Sequence, residues 1–432
     1  MPRMRSAKLA ATKITSGHAL HATFPMRILH TSDWHFGQFF LGHSRQAEHQ
    51  KLITWLVDQT RLHAVDSVLI AGDIFDTSAP PSYARELYNR LILALRDANV
   101  GLILLAGNHD SVAVLDESRD LLKALNTVVI TSVQDDPNEQ IRVLNTRDGK
   151  PGAIVCAIPF IRPRDVLQSV AGQTAQEKQA SLQDAIHAHY RMLHELAEQK
   201  RLELGARLPI IATGHLTTVG ASASESVREI YVGALEAFPT AAFPAADYIA
   251  LGHIHRPQKV GGLEHIRYSG SPIALSFDEA RQQKEMLLVD LSLNGLESVT
   301  PLQIPCFQTM LSVTGSLKEL EPAITAVAAQ AIEGETVWLE VIVAADDYLS
   351  DLQARIQKIT ATLPVEVLRI RRERSSALLA LQSQARETLN ELTPDDVFAR
   401  RLQGETIDDE TRVQLVAMYR EVVAGIGEAD AA

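Results

Sequence analysis

From Met26 onward, short apolar runs alternate with longer mixed stretches. The apolar runs predict strands at Arg27–Thr31, Ser67–Ala71, Leu102–Ala106, Ala153–Ile158, Pro209–Thr213 and Tyr248–Leu251. Several are near-continuous Val, Ile, Leu and Ala, as in strands buried on both faces. Helices are expected between them at Arg45–His63, Pro81–Ala98 and Glu177–Leu204. Short strands at Ile266–Tyr268 and Met286–Leu291 close this region, and the strand–helix alternation argues an α/β or α+β layered domain. The pattern shifts after about Leu296. Residues 308–372 then read strand, helix, strand, helix, strand: Met310–Thr314, Leu317–Ala329, Val337–Ile342, Leu349–Thr362 and Val365–Arg369, a small α+β unit. A basic cluster (Arg369, Arg371, Arg372, Arg374) leads into two helices, Pro394–Leu402 and Asp408–Val423, each with an apolar stripe. Thr393 and Pro394 supply an N-cap followed by proline at the first helical position.

Composition narrows the class. At 432 residues, 46% hydrophobic and 22% charged, the chain has the make-up of a globular protein of two or three domains. No apolar run approaches the roughly 20 residues of a membrane helix. The formal charge of −12 makes bulk electrostatic binding of nucleic acid a poor explanation for any DNA grip. Such a grip would have to be local, metal-borne or lent by a partner. Cys156 and Cys306 each stand alone in an apolar stretch, which excludes a disulfide scaffold and suits a reducing compartment. Residues 1–25 carry Arg3, Arg5, Lys8 and Lys13, no acidic residue and no apolar core of signal-peptide length. They are expected to be a disordered extension, or the product of a start assigned upstream of Met26; a transit peptide fits the composition only loosely.

The chemistry sits directly after the expected strands. In chain order come Asp33-Trp34-His35, Gly72-Asp73, Gly107-Asn108-His109-Asp110, Gly214-His215 and Gly252-His253-Ile254-His255. Polar groups at the ends of adjacent buried strands converge on one rim of a sheet, where ligand sites form. Asp33 and His35, two apart in a turn, can reach one ion. Asp73 can bridge two ions. Asn108 offers an amide oxygen, and His215, His253 and His255 offer imidazole nitrogens. This mixed nitrogen and oxygen set suits Mn²⁺, Fe²⁺ or Zn²⁺ better than Ca²⁺ or Mg²⁺. Two ions about 3.5–4 Å apart would clamp the attacking and leaving oxygens of a phosphoryl displacement. Each piece alone is a weak signal; all five together, in this order, point to metal. The other histidines, among them His30, His49 and His189, fall on expected helices or strands and are read as structural.

The series D-x-H, GD, GNHD, GH, GHxH resembles that of the calcineurin-like metallophosphoesterase superfamily. The segments ILHTSDWHFGQ, AGDIFDTSAPPSYARELYNR, LAGNHDSV, IPFIRPRD, ATGHLTTVGAS and YIALGHIHRPQ are similar to the SbcD family, the nuclease subunits of bacterial SbcCD complexes, and the similarity runs from Met26 to about Val423. The resemblance implies a β-sandwich flanked by helices over 26–296 and an α+β capping domain over 300–375 beside the active site. It implies C-terminal helices over 376–425 docking on the ATPase. One metal would be held by Asp33, His35 and His255, the other by Asn108, His215 and His253, with Asp73 bridging and His109 as the catalytic histidine. It further implies two divalent ions, Mn²⁺ by expectation, and 3′→5′ exonuclease action on duplex ends. Endonuclease action on single strands and hairpins would accompany it, in DNA repair, recombination and replication in the cytoplasm. The partners would be DNA and an SbcC-type ABC ATPase with a long coiled coil. Two copies would pair within a heterotetramer, through the helix after Pro81 and the segment after Ser111. The absence of a Walker A sequence agrees that ATP use comes from elsewhere.

Several residues stay open. Asp110 either orients His109 or serves as a turn or helix-cap carboxylate. Asp76 stands where archaeal and eukaryotic relatives often carry a second histidine, and no catalytic role is carried to it. It either aligns substrate or contacts a ligand side chain. Arg162 and Arg164 are either phosphate contacts or solvated surface arginines. A small-molecule phosphodiesterase or nucleotidase would use the same metal site without needing the capping unit or the helical tail. A scaffold that kept the fold but lost the site is disfavoured by the complete ligand set.

Overall fold

The computed structural model describes residues 26–167, 175–228, 237–329, 336–344 and 352–372, with a few isolated positions besides. The N-terminal 25 residues, and the expected helices Pro394–Leu402 and Asp408–Val423 apart from Leu415 and Met418, lie outside the described residues. The chain divides into two compact units after Thr309.

In chain order the first unit runs β1 (Met26–Thr31), a short hairpin of β2 (Phe39–Phe40) and β3 (His43–Ser44), α1 (Gln46–Leu62), β4 (Ser67–Ala71), α2 (Ser82–Asp97), β5 (Gly101–Leu105), α3 (Val112–Asp116) and α4 (Arg119–Ala124). It continues with β6 (Thr127–Ile130), β7 (Ile141–Asn145), β8 (Pro151–Cys156), α5 (Pro163–Val166), α6 (Ala175–Glu203), β9 (Ile210–His215), β10 (Tyr248–Gly252), β11 (Gln258–Lys259), β12 (Ile266–Tyr268), β13 (Glu285–Ser292) and β14 (Gly295–Gln303). These strands form two six-stranded sheets, ordered β14-β13-β1-β4-β5-β6 and β11-β12-β10-β9-β8-β7. In each sheet four consecutive strands are parallel, β1-β4-β5-β6 and β12-β10-β9-β8. The remaining strands join antiparallel at the edges.

The two sheets pack face to face. Ile28, Leu69 and Ile103 of one sheet share a core with Val155, Ile211 and Ala250 of the other. Because strand side chains alternate faces, the next residues along point outward. Leu29, Val68 and Leu102 therefore meet Leu52 and Leu56 of α1 and Leu87 and Leu91 of α2. Ile154, Ile210 and Ile249 meet Leu182, Ile186, Tyr190 and Leu193 of α6, a stripe at helical spacing. The layers are thus helix, sheet, sheet, helix. This is the expected β-sandwich flanked by helices, and it explains why β4, β9 and β10 are buried at every position.

The departures from expectation have local causes. The strand expected at Ala153–Ile158 ends at Cys156, because the Ile158 amide leaves the ladder for Thr213 Oγ1 (2.6 Å) and the Ala157 amide for Gln140 O (2.8 Å). The composition shift near Leu296 is not a domain boundary. Gly295–Gln303 pairs along β13 as an edge strand whose outer residues are polar, and Pro301 is tolerated there because an edge needs fewer donors. The first unit therefore continues to Thr309 rather than ending at 296.

The second unit runs β15 (Met310–Gly315), α7 (Leu317–Ala328), β16 (Val337–Val343), α8 (Leu352–Thr360) and β17 (Val365–Arg372), with the three strands parallel in that order. Leu320, Ile324 and Ile356 of the helices share a core with Val313, Leu339 and Val341 of the sheet. Ser316 starts α7 with a capping box to Glu319. Among the described residues, no helix is long and apolar enough to cross a membrane.

Candidate metal centre

Parallel strands bring their C-terminal ends to one rim. Asp33 and His35 follow β1, Asp73 follows β4, Asn108 and His109 follow β5, His215 ends β9, and His253 and His255 follow β10. The turns are tight. Asp33, His35, Asp73 and His253 all have positive φ (56°, 49°, 49° and 95°), a region that costs a non-glycine residue of order 1–3 kcal/mol. Backbone bonds between the loops offset that cost: Asp33 N to Gly72 O (3.0 Å), His35 N to Asp73 O (3.1 Å) and Phe36 N to Ile74 O (2.9 Å). Close approach requires glycine at Gly107, where a Cβ would lie 2.1 Å from Asp73 Oδ1, and at Gly252, where it would lie 1.9 Å from the Ala71 carbonyl oxygen.

Two buried groups result, each able to hold an ion: Asp33, His35 and His255, and Asp73, His215 and His253, with the donor atoms of each group within 4.8 Å of one another. Asp73 sits between them, its Oδ2 3.3 Å from His215 Nε2 and 3.7 Å from His35 Nε2. Asn108 joins the second group, its Oδ1 3.0 Å from His215 Nε2. The sandwich thus brings together all seven residues singled out as ligands, from both sheets.

The surroundings orient the rings. His215 Nδ1 donates to Ala71 O (2.9 Å), His35 Nδ1 faces Asp76 Oδ1 (3.1 Å), and His255 Nδ1 faces Ser226 Oγ (2.6 Å) and Glu279 Oε1 (3.2 Å). The Nε2 atoms are left for the pocket, and those of His35 and His253 are buried with no hydrogen-bond partner. Buried unpaired imidazole nitrogens beside two buried carboxylates, Asp33 and Asp73, are the donor set a divalent cation satisfies. The charges already lean on one another. Burial pushes Asp73 up, but the His215 and His35 imidazoles outweigh it and hold the carboxyl well below its ordinary range. Burial likewise opposes charge on His215, and Asp73 overrides it, raising the imidazole to about 9. Burial and the neighbouring His215 charge hold His253 well below the usual imidazole value.

His109 stands beside this pair of groups. Its ring is edge-on to His35 with centroids 4.7 Å apart, and its Nδ1 donates to the Asp76 carbonyl (2.7 Å), which leaves Nε2 free. Burial lowers its pKa. His35, Asp76 and His109 form a third group of close donor atoms. Asp76 therefore contacts His35, one of the expected ligands.

Asp110 does not touch the His109 side chain in any hydrogen bond. Its carboxylate accepts from the backbone N–H groups of Ile74 (3.0 Å), Phe75 (2.8 Å) and Gly107 (2.8 Å), so it ties the Asp73 loop to the Asn108 loop. Burial pushes it up to about 6. This is the turn-carboxylate alternative. Arg162 directs its guanidinium at two carbonyls, Thr131 O (3.5 Å) and Asp110 O (3.3 Å), above the Phe160 ring. Arg164 is exposed, near Asp165 (3.8 Å).

Sequence reading missed several participants. Ser32 Oγ donates to Asp33 Oδ2 (2.6 Å). His49 Nε2 is bonded to the Trp34 carbonyl (2.7 Å), between Asp33 and His35. Glu279 and Lys284 lie buried behind His255. Burial is the main cause of the lowered His109 pKa, and at Asp76 burial is outweighed by the bond to His35; the Arg228 charge adds a minor lowering effect at both. Glu279 and Lys284 fall in the polar run DEARQQK, which cannot be told from a solvated turn in sequence.

The layered sandwich and the paired ion-holding groups define a metallophosphoesterase, and residues 26–257 match the calcineurin-like phosphoesterase family. Residues 306–406 match the family described as the type 5 capsule protein repressor C-terminal domain. The chain is 50% identical over 397 residues to the SbcD subunit of the nuclease SbcCD from Escherichia coli strain K12, covering 91% of this chain and 97% of that one. It is 31% identical to the protein of the same name from Rhodobacter capsulatus, covering 87% and 94%. The Bacillus subtilis protein of that name is 31% identical over 61% of this chain and 66% of its own. The chain belongs to the SbcD family of SbcCD nuclease subunits, within the calcineurin-like phosphoesterases.

Proposed function

We propose that the chain is the nuclease subunit of an ATPase–nuclease complex and hydrolyses DNA phosphodiesters with two divalent ions, Mn²⁺ in this reading. The observation that carries the proposal is the convergence of Asp33, His35, Asp73, Asn108, His215, His253 and His255 around one pocket, with His109 beside it. Asp33, His35 and His255 would hold one ion, and Asn108, His215 and His253 the other, with Asp73 shared. Ions bound there supply Lewis-acid stabilisation of charge at phosphorus and a nucleophile from water. The side chains do the rest. The buried carboxylates and oriented imidazoles fix where the ions sit. The Asp76 carbonyl holds the Nδ1 proton and aims Nε2 outward. In the imidazolium form the Nε2–H would stabilise the transition state or pass its proton to the leaving 3′ oxygen, returning His109 to the neutral state, a general-acid task worth about 10²–10⁴-fold. Arg162 already serves two carbonyls, so exposed Arg164 is the freer phosphate contact.

The finer reading is 3′→5′ exonuclease action on duplex ends and endonuclease action on single strands and hairpins, in DNA repair, recombination and replication in the cytoplasm. Family membership and the chain's acidity favour an assembly in which an SbcC-type ABC ATPase with a coiled coil supplies DNA grip and ATP use. The second unit, beginning at Met310 rather than at residue 300, would act as the capping domain, the helices over 376–425 would dock on the ATPase, and two copies would pair within a heterotetramer. The test is digestion of an end-labelled linear duplex and a hairpin in Mn²⁺, with and without the ATPase and ATP. Partner- and ATP-stimulated cleavage, lost in His109→Ala while metal binding persists, is the expected result. Unchanged turnover in His109→Ala would remove it from the mechanism. Turnover of small phosphodiesters with no DNA cleavage under any condition would move the substrate to a nucleotidase-type reading.

A further inference from the structure

The turn between β12 and β13 carries a buried ion pair that the chemistry above does not use. Glu279 is 0% exposed and Lys284 7%. Charges are seldom buried so completely unless every polar atom is engaged, and here they are engaged around one ligand. Glu279 Oε1 lies 3.2 Å from His255 Nδ1 and accepts from Ser224 Oγ (2.7 Å) and from Ser226 Oγ. Its Oε2 accepts from Lys284 Nζ (2.7 Å), Leu275 N (3.1 Å) and Ser271 Oγ (3.2 Å). Lys284 Nζ in turn donates to the His255 carbonyl (3.0 Å). One ion pair therefore grips His255 at its ring and at its backbone.

The same carboxylate anchors a stretch of loop. Ser224 and Ser226 bond to Glu279, the Glu225 amide donates to Asp278 (3.0 Å), and the Ser222 amide donates to Gln258 (2.9 Å). The stretch ends at Arg228, whose charge makes only a minor contribution at His109 and Asp76.

We propose that Glu279 is a positioning residue that sets His255 for one ion and couples filling of that ion site to ordering of the Ser222–Arg228 segment. The inference rests on the dinuclear reading above. An ionised carboxylate only accepts, so the proton stays on Nδ1 and the Nε2 lone pair faces the pocket. Ser226 Oγ, shared between His255 Nδ1 and Glu279, carries the same constraint into the segment. Because coupling is reciprocal, whatever orders the segment also tightens the ion.

The test is Mn²⁺ titration calorimetry of the full chain, with hydrogen exchange of residues 222–228 measured with and without Mn²⁺. The wild type should bind two ions and gain protection in 222–228. In Glu279→Gln, one site should weaken by about 10–100-fold with the other unchanged, the usual effect of removing a partner behind a ligand histidine. The Mn²⁺-dependent protection should disappear. Ser226→Ala, which keeps the Glu279–Lys284 pair but removes the hydroxyl on His255 Nδ1, should weaken the same site while leaving the other unchanged, and should lose the protection; it decides the matter if Glu279→Gln does not fold. Wild-type affinity at both sites in Glu279→Gln, equal weakening of both, or protection retained in Ser226→Ala would overturn the proposal. A wild-type chain that takes up no Mn²⁺ would instead defeat the dinuclear reading, and this inference with it.

Discussion

His49 shows how the fold braces the metal-side loop, and its contribution can be worked out in advance. It lies in α1, fully buried, with Nε2 on the Trp34 carbonyl, its ring edge-on to Phe36 at 5.0 Å, and Nδ1 without a partner. Burial drives its pKa from 6.5 down to about 3, against the smaller opposing effect of the Trp34 carbonyl. The folded chain therefore keeps this imidazole neutral between pH 5.5 and 7.5, while in the unfolded chain it titrates near its ordinary value. A base with a lowered native pKa stabilises the fold above that ordinary value. It loses the contribution as pH falls, because the unfolded state then binds more protons. From pH 7.5 to 5.5 the unfolded chain gains a tenfold advantage at this site, about 1.4 kcal/mol. The window lies well above the native value, so the magnitude does not depend on where near 3 that value falls. The assay is urea unfolding of the wild type and His49→Gln at both pH values in one chelating buffer, so that the other histidines cancel in the difference. The wild type should lose about 1.4 kcal/mol more than the variant. Parallel losses would refute the argument that His49 is buried uncharged.

Asp110→Asn leaves one acceptor oxygen where the carboxylate offers two, so at least one of the three loop amides loses its partner. The expected cost is about 1–3 kcal/mol in urea unfolding, with cleavage reduced because the Asp73 and Asn108 loops are no longer tied; wild-type stability would contradict the bonding described. Gly252→Ala sets a methyl against the Ala71 carbonyl, a backbone atom that cannot swing aside. We expect a loss of at least about 1–3 kcal/mol, together with weakened ion uptake, and an unchanged Tm would show that the strand ends do not approach as described.

The sandwich was legible because strands buried on both faces are nearly pure Val, Ile, Leu and Ala, as in Ser67–Ala71 and Tyr248–Gly252. Its edges were not. β14 alternates polar residues outward and reads as a linker, and β7 is half-buried and short. The seven residues that meet in the pocket were legible because each follows a strand end in a short polar signature. Their support was not, since it depends on contacts distant in sequence. Glu279 reaches His255 across 24 positions, Asp110 reaches Ile74 across 36, and His49 is an ordinary helix residue until the fold sets it under Trp34. The left-handed turns at Asp33, His35, Asp73 and His253 were equally hidden, because aspartate and histidine in that region are a consequence of the site rather than a compositional signal.

The central claim is that two ions share Asp73. Electron paramagnetic resonance of the full chain with two equivalents of Mn²⁺ tests it most directly. Ions about 3.5–4 Å apart should give the spectrum of an exchange-coupled pair, and Asp73→Ala should abolish it. A signal from isolated Mn²⁺ alone in the wild type, or a coupled pair that survives Asp73→Ala, would contradict the account.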